Sequence, residues 1–142
     1  MNNVIYKQAE ISDVDENLGI VKGYGSIFGN VDSDNDIIEK GAYARTIKNN
    51  GSRVKYLYQH DITKPIGRMK ELFEDEKGLG FVAEIPKTTF GIEVLELMKY
   101  NVIDENSVGI LPVKKDYNED GVRMIKEAKL FGDLVEVASS KD

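Results

Sequence analysis

"SVGILPVKKDYNEDGVRMIKEAKLF", residues 107–131, is the stretch that decides the class of fold. Its two ends, 107–117 and 122–131, have the composition of β-strands. Between them stands NEDG, a polar turn sequence that ends in glycine and is typical of a hairpin. The stretch therefore predicts two long antiparallel strands joined by a tight turn.

Further strands are predicted on the N-terminal side of this hairpin. They are VIYKQAEI (4–11), GIVKGYGSIF (19–28), RVKYLYQHD (53–61), PIGRMKELFED (65–75) and KGLGFVAEIP (77–86). Strands dominate and most are joined by tight turns. The order predicts a mainly β fold with flanking helices, in which an antiparallel sheet closes into a barrel or a sandwich.

Two helices interrupt the strands. GAYARTIKNNG (41–51) predicts a short helix that Asn-Asn-Gly ends. A longer helix is predicted from Thr88 onwards, with Thr88 or Thr89 as its N-cap. Its apolar residues fall at helical spacing and are expected to pack into the core: Phe90, Val94, Leu97 and Met98.

Length and composition limit the classes of protein that this chain can belong to. A chain of 142 residues that is 41% hydrophobic predicts one globular domain, residues 1–142. The absence of cysteine excludes disulfides, thiolate metal sites and a cysteine nucleophile, and it fits a reducing, cytoplasmic setting. No cofactor is predicted.

Charge and hydropathy argue against two kinds of partner. The net charge of −6, from 25 acidic and 19 basic residues, disfavours a nucleic-acid binder, which needs a basic face. The apolar runs are too short to span a membrane, and MNNVIYKQAE lacks the pattern of a signal peptide. We therefore expect neither nucleic acid nor membrane as a partner.

An acidic turn, GNVDSDND (29–36), has partial similarity to a calcium-binding loop. Three aspartates match the spacing of the first ligands: Asp32, Asp34 and Asp36. Ile37 stands where such loops need glycine, and Tyr43 stands where they need glutamate. We therefore predict a solvated acidic loop and no metal site.

The one histidine, His60, follows an apolar run in YLYQHD (56–61). Among the serines, Ser107 differs from the rest because it begins a strand in DENSVGILPV (104–113), with Gly109 two residues later. Such a glycine lets a substrate backbone come close, and its N–H suits an oxyanion hole. The hydrolase elbow, however, needs glycine two residues before the serine, where Glu105 stands. On spacing alone, a structural histidine and a turn serine remain open.

A catalytic histidine needs an orienting group on its far side. Asp61 is its neighbour in the sequence, and neighbours in a strand point to opposite faces. The later acids Asp133 and Glu136, near the end of the last strand, are the better candidates.

The segment from Gly23 to Leu134 is similar to one known family, and four stretches within it carry the similarity. They are GYGSIFGNVDSDNDIIEKGAYARTI, YLYQHDITKPIGR, LMKYNVIDENSVGILPVKKD and VRMIKEAKLF, in that order. The sequence resembles the phage prohead serine proteases, which mature the capsids of tailed phages and are distantly similar to the herpesvirus maturation protease, assemblin.

The resemblance implies a site, a substrate and a place of action. His60 would be the general base and Ser107 the nucleophile, with Asp133 as the third member and Glu136 as the alternative. The implied fold is the closed antiparallel β-barrel of the herpesvirus protease. The implied partner is the major capsid protein or its scaffolding segment, cleaved inside the assembling prohead in the host cytoplasm. The chain itself is a further implied substrate, and a homodimer is a further possibility.

The chain departs from the family pattern at two places. Pro112 follows the serine block where the family has an aromatic residue nearby, and proline removes one strand donor. After KLF the family has an acid, and this chain has Gly132 before Asp133. The alternative hypothesis is therefore a catalytically impaired, prophage-derived module of the same fold that binds the scaffold for capsid assembly.

Overall fold

The computed structural model describes residues 4–50, 54–58 and 61–138. These ranges contain eight strands and two helices. In chain order they are β1 (Ile5–Asp15), β2 (Ile20–Ile27), β3 (Asp36–Ile38), α1 (Ala44–Asn50), β4 (Lys55–Tyr58), β5 (Asp61–Glu74), β6 (Gly78–Glu84), α2 (Thr89–Lys99), β7 (Glu105–Tyr117) and β8 (Arg123–Ala138). The predicted mainly β class with few helices is confirmed.

The predicted hairpin is present as β7 and β8. Asn118 Oδ1 accepts hydrogen bonds from the backbone N–H groups of Asp120 and Val122. Gly121 adopts a φ of 77°, a conformation that residues with a Cβ rarely adopt. The turn residues thus supply both the side-chain acceptor and the backbone freedom that the reversal needs.

All eight strands lie in one sheet, in the order β3-β8-β4-β5-β6-β2-β1-β7, and β7 also pairs with β8. The expected wholly antiparallel arrangement was wrong, because β3 and β4 both pair with β8 in parallel. Parallel neighbours need a long connection, and turn sequences between successive strands do not reveal such pairings.

The expected continuous closure into a barrel was also wrong. Along the β7–β8 ladder, Val108 pairs with Val135 and the next pair is Ile110 with Leu130. Residues 131–134 of β8 thus have no partner on β7 in the described register. The extra residues on one strand interrupt the ladder as a bulge does, and the sheet is an open half-barrel.

Both predicted helices are present, and α1 begins at Ala44, three residues after the start of the predicted segment, whereas α2 begins where the sequence predicts. Thr88 caps α2, and its side chain accepts the N–H of Gly91 at 3.0 Å. Val94 and Met98 are buried as predicted, whereas Phe90 is 37% exposed and Leu95 is buried in addition. A Cβ at Gly91 would lie 2.0 Å from the carbonyl oxygen of Pro86, so only a glycine leaves room for this carbonyl group. Of the described helices, neither has the length and apolarity that crossing a bilayer requires.

The core contains side chains of the sheet together with Val94, Leu95 and Met98 of α2. Its largest fully buried aromatic side chains are Tyr43, Tyr56 and Phe81. The rings of Tyr56 and Phe81 pack with centroids 5.4 Å apart. The hydroxyl of Tyr43 lies 2.8 Å from Ser26 Oγ and donates a hydrogen bond to it. The buried hydroxyls therefore bind partners inside the core, as desolvation requires.

The acidic turn belongs to a charged cluster, which we define as Lys7, Asp32, Asp34, Asp36 and Arg123. Lys7 Nζ lies 2.6 Å from Asp32, 3.3 Å from Asp34 and 2.8 Å from Asp36. Arg123 binds both carboxylate oxygens of Asp36, at 2.7 and 2.9 Å. The expected solvated loop was wrong for Asp36, which is 1% exposed. The ammonium group of Lys7 occupies the place among the three carboxylates that a cation would take.

The pKa values of this cluster follow from burial and from its hydrogen bonds. Burial alone would raise the pKa of Asp36, but hydrogen bonds from Arg123 and Lys7 outweigh it and hold the pKa below its ordinary value. Burial alone would lower the pKa of Lys7, and hydrogen bonds to Asp32 and Asp36 raise it above the ordinary value. Both groups are therefore charged across the neutral range.

We expect Asp36→Asn to lower the free energy of unfolding at pH 7 by about 3 kcal/mol, because it removes a buried partner from two cations. Asp34→Asn is the matched control: Asp34 is 55% exposed, and we expect a change within about 0.5 kcal/mol. Urea unfolding followed by circular dichroism measures both. Equal effects of the two substitutions would contradict this account of the cluster.

The effect of Asp36→Asn should depend on pH. Since the folded pKa of Asp36 is lowered, its contribution is complete above the pKa of an unfolded aspartate, about 3.9. The contribution is lost as the pH falls through the lower, folded value. The difference in stability between wild type and variant should therefore hold from about pH 5 upwards through neutrality and narrow below about pH 4.

Candidate active site

Ser107 lies in the first half of β7, where every residue from Asn106 to Ile110 is buried. Its strand neighbours Asn106 and Val108 are 0% exposed and face the core. Because side chains alternate along a strand, Ser107 points to the opposite face. Ser107 is itself 1% exposed, so that face is covered at this position.

The hydroxyl of Ser107 has no hydrogen-bond partner among the described residues. A buried hydroxyl without a partner costs about 1–3 kcal/mol, and native structures contain few such groups. Ser26 offers a contrast, since it is equally buried and its hydroxyl is bound by Tyr43. Of the two buried serines among the described residues, Ser107 is therefore the one whose hydroxyl has no partner.

Four strands place residues in one row across the sheet, which we call the Ser107 row. Ser107 pairs with Gln8 of β1 on one side and with Glu136 of β8 on the other. Glu136 pairs in turn with Leu57 of β4. Through the backbone of β8, the row therefore joins β7 to the strand that leads to the histidine.

His60 lies outside the described residues. The strand before it, β4, ends at Tyr58, and Tyr58 pairs with Val137 of β8 and with Asp61 of β5. Leu57, three residues before His60, is a member of the Ser107 row. The strand that leads to the histidine, β4, thus has a defined register with β8. Because β8 also pairs with β7, the register of β4 relative to β7 is defined as well.

Asp133 and Glu136 occupy different parts of β8. The backbone of Glu136 pairs with Ser107, whereas Asp133 lies in the stretch 131–134 that has no partner on β7. The register therefore brings one of the two predicted acids next to the predicted serine and leaves the other three residues away along the strand.

Gly109 lies where the sequence suggested close approach of a substrate. It pairs with Tyr6 of β1, and a Cβ added to it would lie 3.1 Å from Cε1 of that tyrosine. The missing side chain thus makes room for the ring of Tyr6, a packing reason for the glycine that spacing did not suggest. The register with β8 passes from Val108 to Ile110 without including Gly109.

Sequence reasoning missed Asn106, the residue before Ser107. Its Oδ1 accepts a hydrogen bond from the hydroxyl of Tyr56 at 2.9 Å, and its Nδ2 donates to the carbonyl oxygen of Tyr24 at 3.3 Å. A Cβ at Gly23 would lie 2.8 Å from that Nδ2, so the glycine leaves space for the amide. Asparagine is seldom fully buried in a strand. The position of Asn106 next to the candidate serine is the feature of the sequence that could have identified it.

An open cavity of about 480 Å³ lies beside β1. Its lining includes Tyr6 and Gln8 of β1 and Ser33 and Asp34 of the acidic turn. Gln8 is the β1 member of the Ser107 row. The cavity therefore reaches the strand that adjoins the candidate serine.

Comparisons with known proteins agree with the resemblance found in the sequence. The family model described as caudovirus prohead serine protease matches residues 7–138. The prohead protease of Enterobacteria phage HK97 is 34% identical over 105 residues, which are 72% of this chain and 47% of that protein. The chain thus spans about half the length of that curated relative.

The fold is also found in a solved structure. The capsid assembly protease of bacteriophage T4 superposes with a TM-score of 0.76, covering 97% of this chain and 98% of the other, at 10% sequence identity. At that identity the likeness shows a shared fold and no more. The family match extends over nearly all the described residues, and the chain belongs to the caudovirus prohead serine protease family.

Proposed function

We propose that this chain is a capsid-maturation serine endopeptidase that cleaves the scaffolding segment of its phage's major capsid protein, and itself, inside the assembling prohead in the host cytoplasm. We further propose that residues 1–142 form a single protease domain of the herpesvirus-protease type. Membership of the prohead protease family supports the reaction class. The homodimer expected from the resemblance stays a prediction.

The observation that carries the proposal is the hydroxyl of Ser107, buried and without a hydrogen-bond partner among the described residues. A serine nucleophile has to offer its hydroxyl to a base and to a substrate carbonyl, so it is not bound by a structural partner. The Ser107 row adds a second support, because it links this serine to β4, the strand that precedes His60.

In the proposed mechanism, Ser107 Oγ attacks the carbonyl carbon of the scissile peptide while His60 accepts the hydroxyl proton. His60 then gives that proton to the leaving amine as the C–N bond breaks, which leaves an acyl-enzyme on Ser107. Water, deprotonated by His60, hydrolyses the ester and restores the serine. No cofactor takes part in these steps.

The strand register supports Glu136 over Asp133 as the orienting acid. β4 and β8 run in parallel, with Leu57 level with Glu136 and Lys55 level with Leu134. Lys55 is five residues before His60 in the sequence. Asp133 precedes Leu134 and therefore lies one residue further back than the level of Lys55. At about 3.3 Å per residue, Asp133 lies roughly 10 Å further back along β8 than Glu136, away from the end of β4 that leads to His60. Asp133 stays the prediction of the sequence, and Glu136 is the acid that we propose.

We expect Ser107→Ala to abolish processing of the capsid protein, with a loss of about 10³-fold or more, because the nucleophile is removed. The measurement is mass spectrometry of the capsid protein co-expressed with the chain, since processing removes a defined segment. His60→Ala should have an effect of the same order.

Ser26→Ala is the matched control for that experiment. Ser26 is as buried as Ser107, but its hydroxyl is bound by Tyr43, so the variant should retain processing. An intact capsid protein with the folded wild-type chain would overturn the protease proposal. If that chain still bound the capsid protein, the result would favour the scaffold-binding alternative.

The two acids are distinguished by Glu136→Gln and Asp133→Asn. We expect Glu136→Gln to slow processing by about 10²–10⁴-fold, because the histidine loses its orienting carboxylate. Asp133→Asn should leave the rate close to that of wild type. Time courses of capsid-protein cleavage measure both, and the opposite order of effects would assign the role to Asp133.

A further inference from the structure

The strand that precedes His60 and the strand that bears Ser107, β4 and β7, are not neighbours in the sheet. β8 lies between β4 and β7, so the two strands are about 9–10 Å apart. One described side-chain hydrogen bond joins them directly, from the hydroxyl of Tyr56 to Oδ1 of Asn106 at 2.9 Å. This bond crosses beneath β8 on the core side of the sheet.

The two partners of this bond are close in sequence to the two candidate catalytic residues. Asn106 precedes Ser107, and Tyr56 lies four residues before His60. Tyr56 and Val108 both pair with Val135 of β8, so the bond runs diagonally from one row of the sheet to the next. It therefore restricts sliding of β4 relative to β7 along the strand direction, in addition to the ladders that each of them forms with β8.

Both partners are held rigidly. Tyr56 is 0% exposed and its ring packs on Phe81, while the amide of Asn106 is fixed from the other side by the carbonyl of Tyr24. Burial raises the pKa of Tyr56 well above its ordinary value, so the hydroxyl remains a donor at every pH at which the enzyme works. A buried polar pair of this kind specifies one arrangement, because any displacement leaves both groups without a partner.

We propose that Tyr56 and Asn106 are positioning residues, whose hydrogen bond sets the distance and register between the strand that leads to His60 and the strand that bears Ser107. This inference rests on the proposed function of His60 and Ser107. Neither Tyr56 nor Asn106 touches the substrate, and both act through the backbone of the strand that carries the reacting group.

The test uses a small fluorophosphonate, which reports on the serine and its base without a bound peptide. Ser107 Oγ forms a bond to phosphorus, fluoride leaves, and the hydroxyl proton passes to the base. Wild type should be labelled at Ser107 and Ser107→Ala should not. Failure of the wild type to react would overturn the proposed function, and the inference with it.

Tyr56→Phe removes the hydroxyl and keeps the ring. We expect this variant to be labelled about 10–100-fold more slowly than wild type, because small misplacements of reacting groups have effects of that size. Tyr43→Phe is the matched control, since Tyr43 is equally buried and its hydroxyl binds Ser26. It should unfold at a similarly lowered urea concentration and react at the rate of wild type. Equal labelling rates for the two folded variants would overturn the inference.

A double variant, Tyr56→Phe with Asn106→Leu, separates positioning from stability. It removes both partners of the bond together, so Oδ1 of Asn106 is no longer buried without its donor, while the carbonyl of Tyr24 loses the amide that binds it. We therefore expect the urea midpoint to recover in part from that of Tyr56→Phe. Positioning predicts that labelling remains slow although the urea midpoint recovers in part. If the labelling rate recovers together with stability, the hydrogen bond is a structural contact only and the inference is overturned. The double variant gives this answer even if Tyr56→Phe alone does not fold.

Discussion

The pairing of β8 with two strands at once is the constraint on which the candidate site depends. Its last residues pair with β4 in parallel on one side and with β7 in antiparallel on the other. Leu57, Glu136 and Ser107 are thereby fixed in one row, although they lie far apart in the sequence. β8 is the one described strand that pairs with both the strand of the serine and the strand that precedes the histidine.

The interruption of the β7–β8 ladder explains how the chain accommodates a departure from its family. Gly132 stands where the family has an acid, and a one-residue shift would normally turn the following side chains to the other face. Here Gly132 lies within residues 131–134, which have no partner on β7. Four residues of β8 there lie opposite Gly109 alone, and pairing resumes at Val135, one residue before Glu136.

Two buried polar arrangements define the relative positions of strands that hydrophobic packing alone would leave free to slide. The charged cluster joins Lys7 of β1 to Asp36 of β3 and Arg123 of β8, and the hydrogen bond between Tyr56 and Asn106 joins β4 to β7. Apolar contacts tolerate small shifts, whereas a buried charge or amide that loses its partner is strongly disfavoured. Both arrangements connect strands that no tight turn joins, so the turn sequences do not determine how these strands are aligned.

Local patterns in the sequence predicted every described strand except β3, both helices, the cap at Thr88 and the hairpin, because turn residues and hydrophobic periodicity act over a few residues. The family resemblance, confirmed by comparison, supplied Ser107 and His60 as candidates. Only the tertiary structure revealed the parallel pairings of β8, the row that sets Glu136 beside Ser107, and the contact of Tyr56 with Asn106. These depend on contacts between residues distant in the chain, and no local pattern encodes which distant strands will become neighbours.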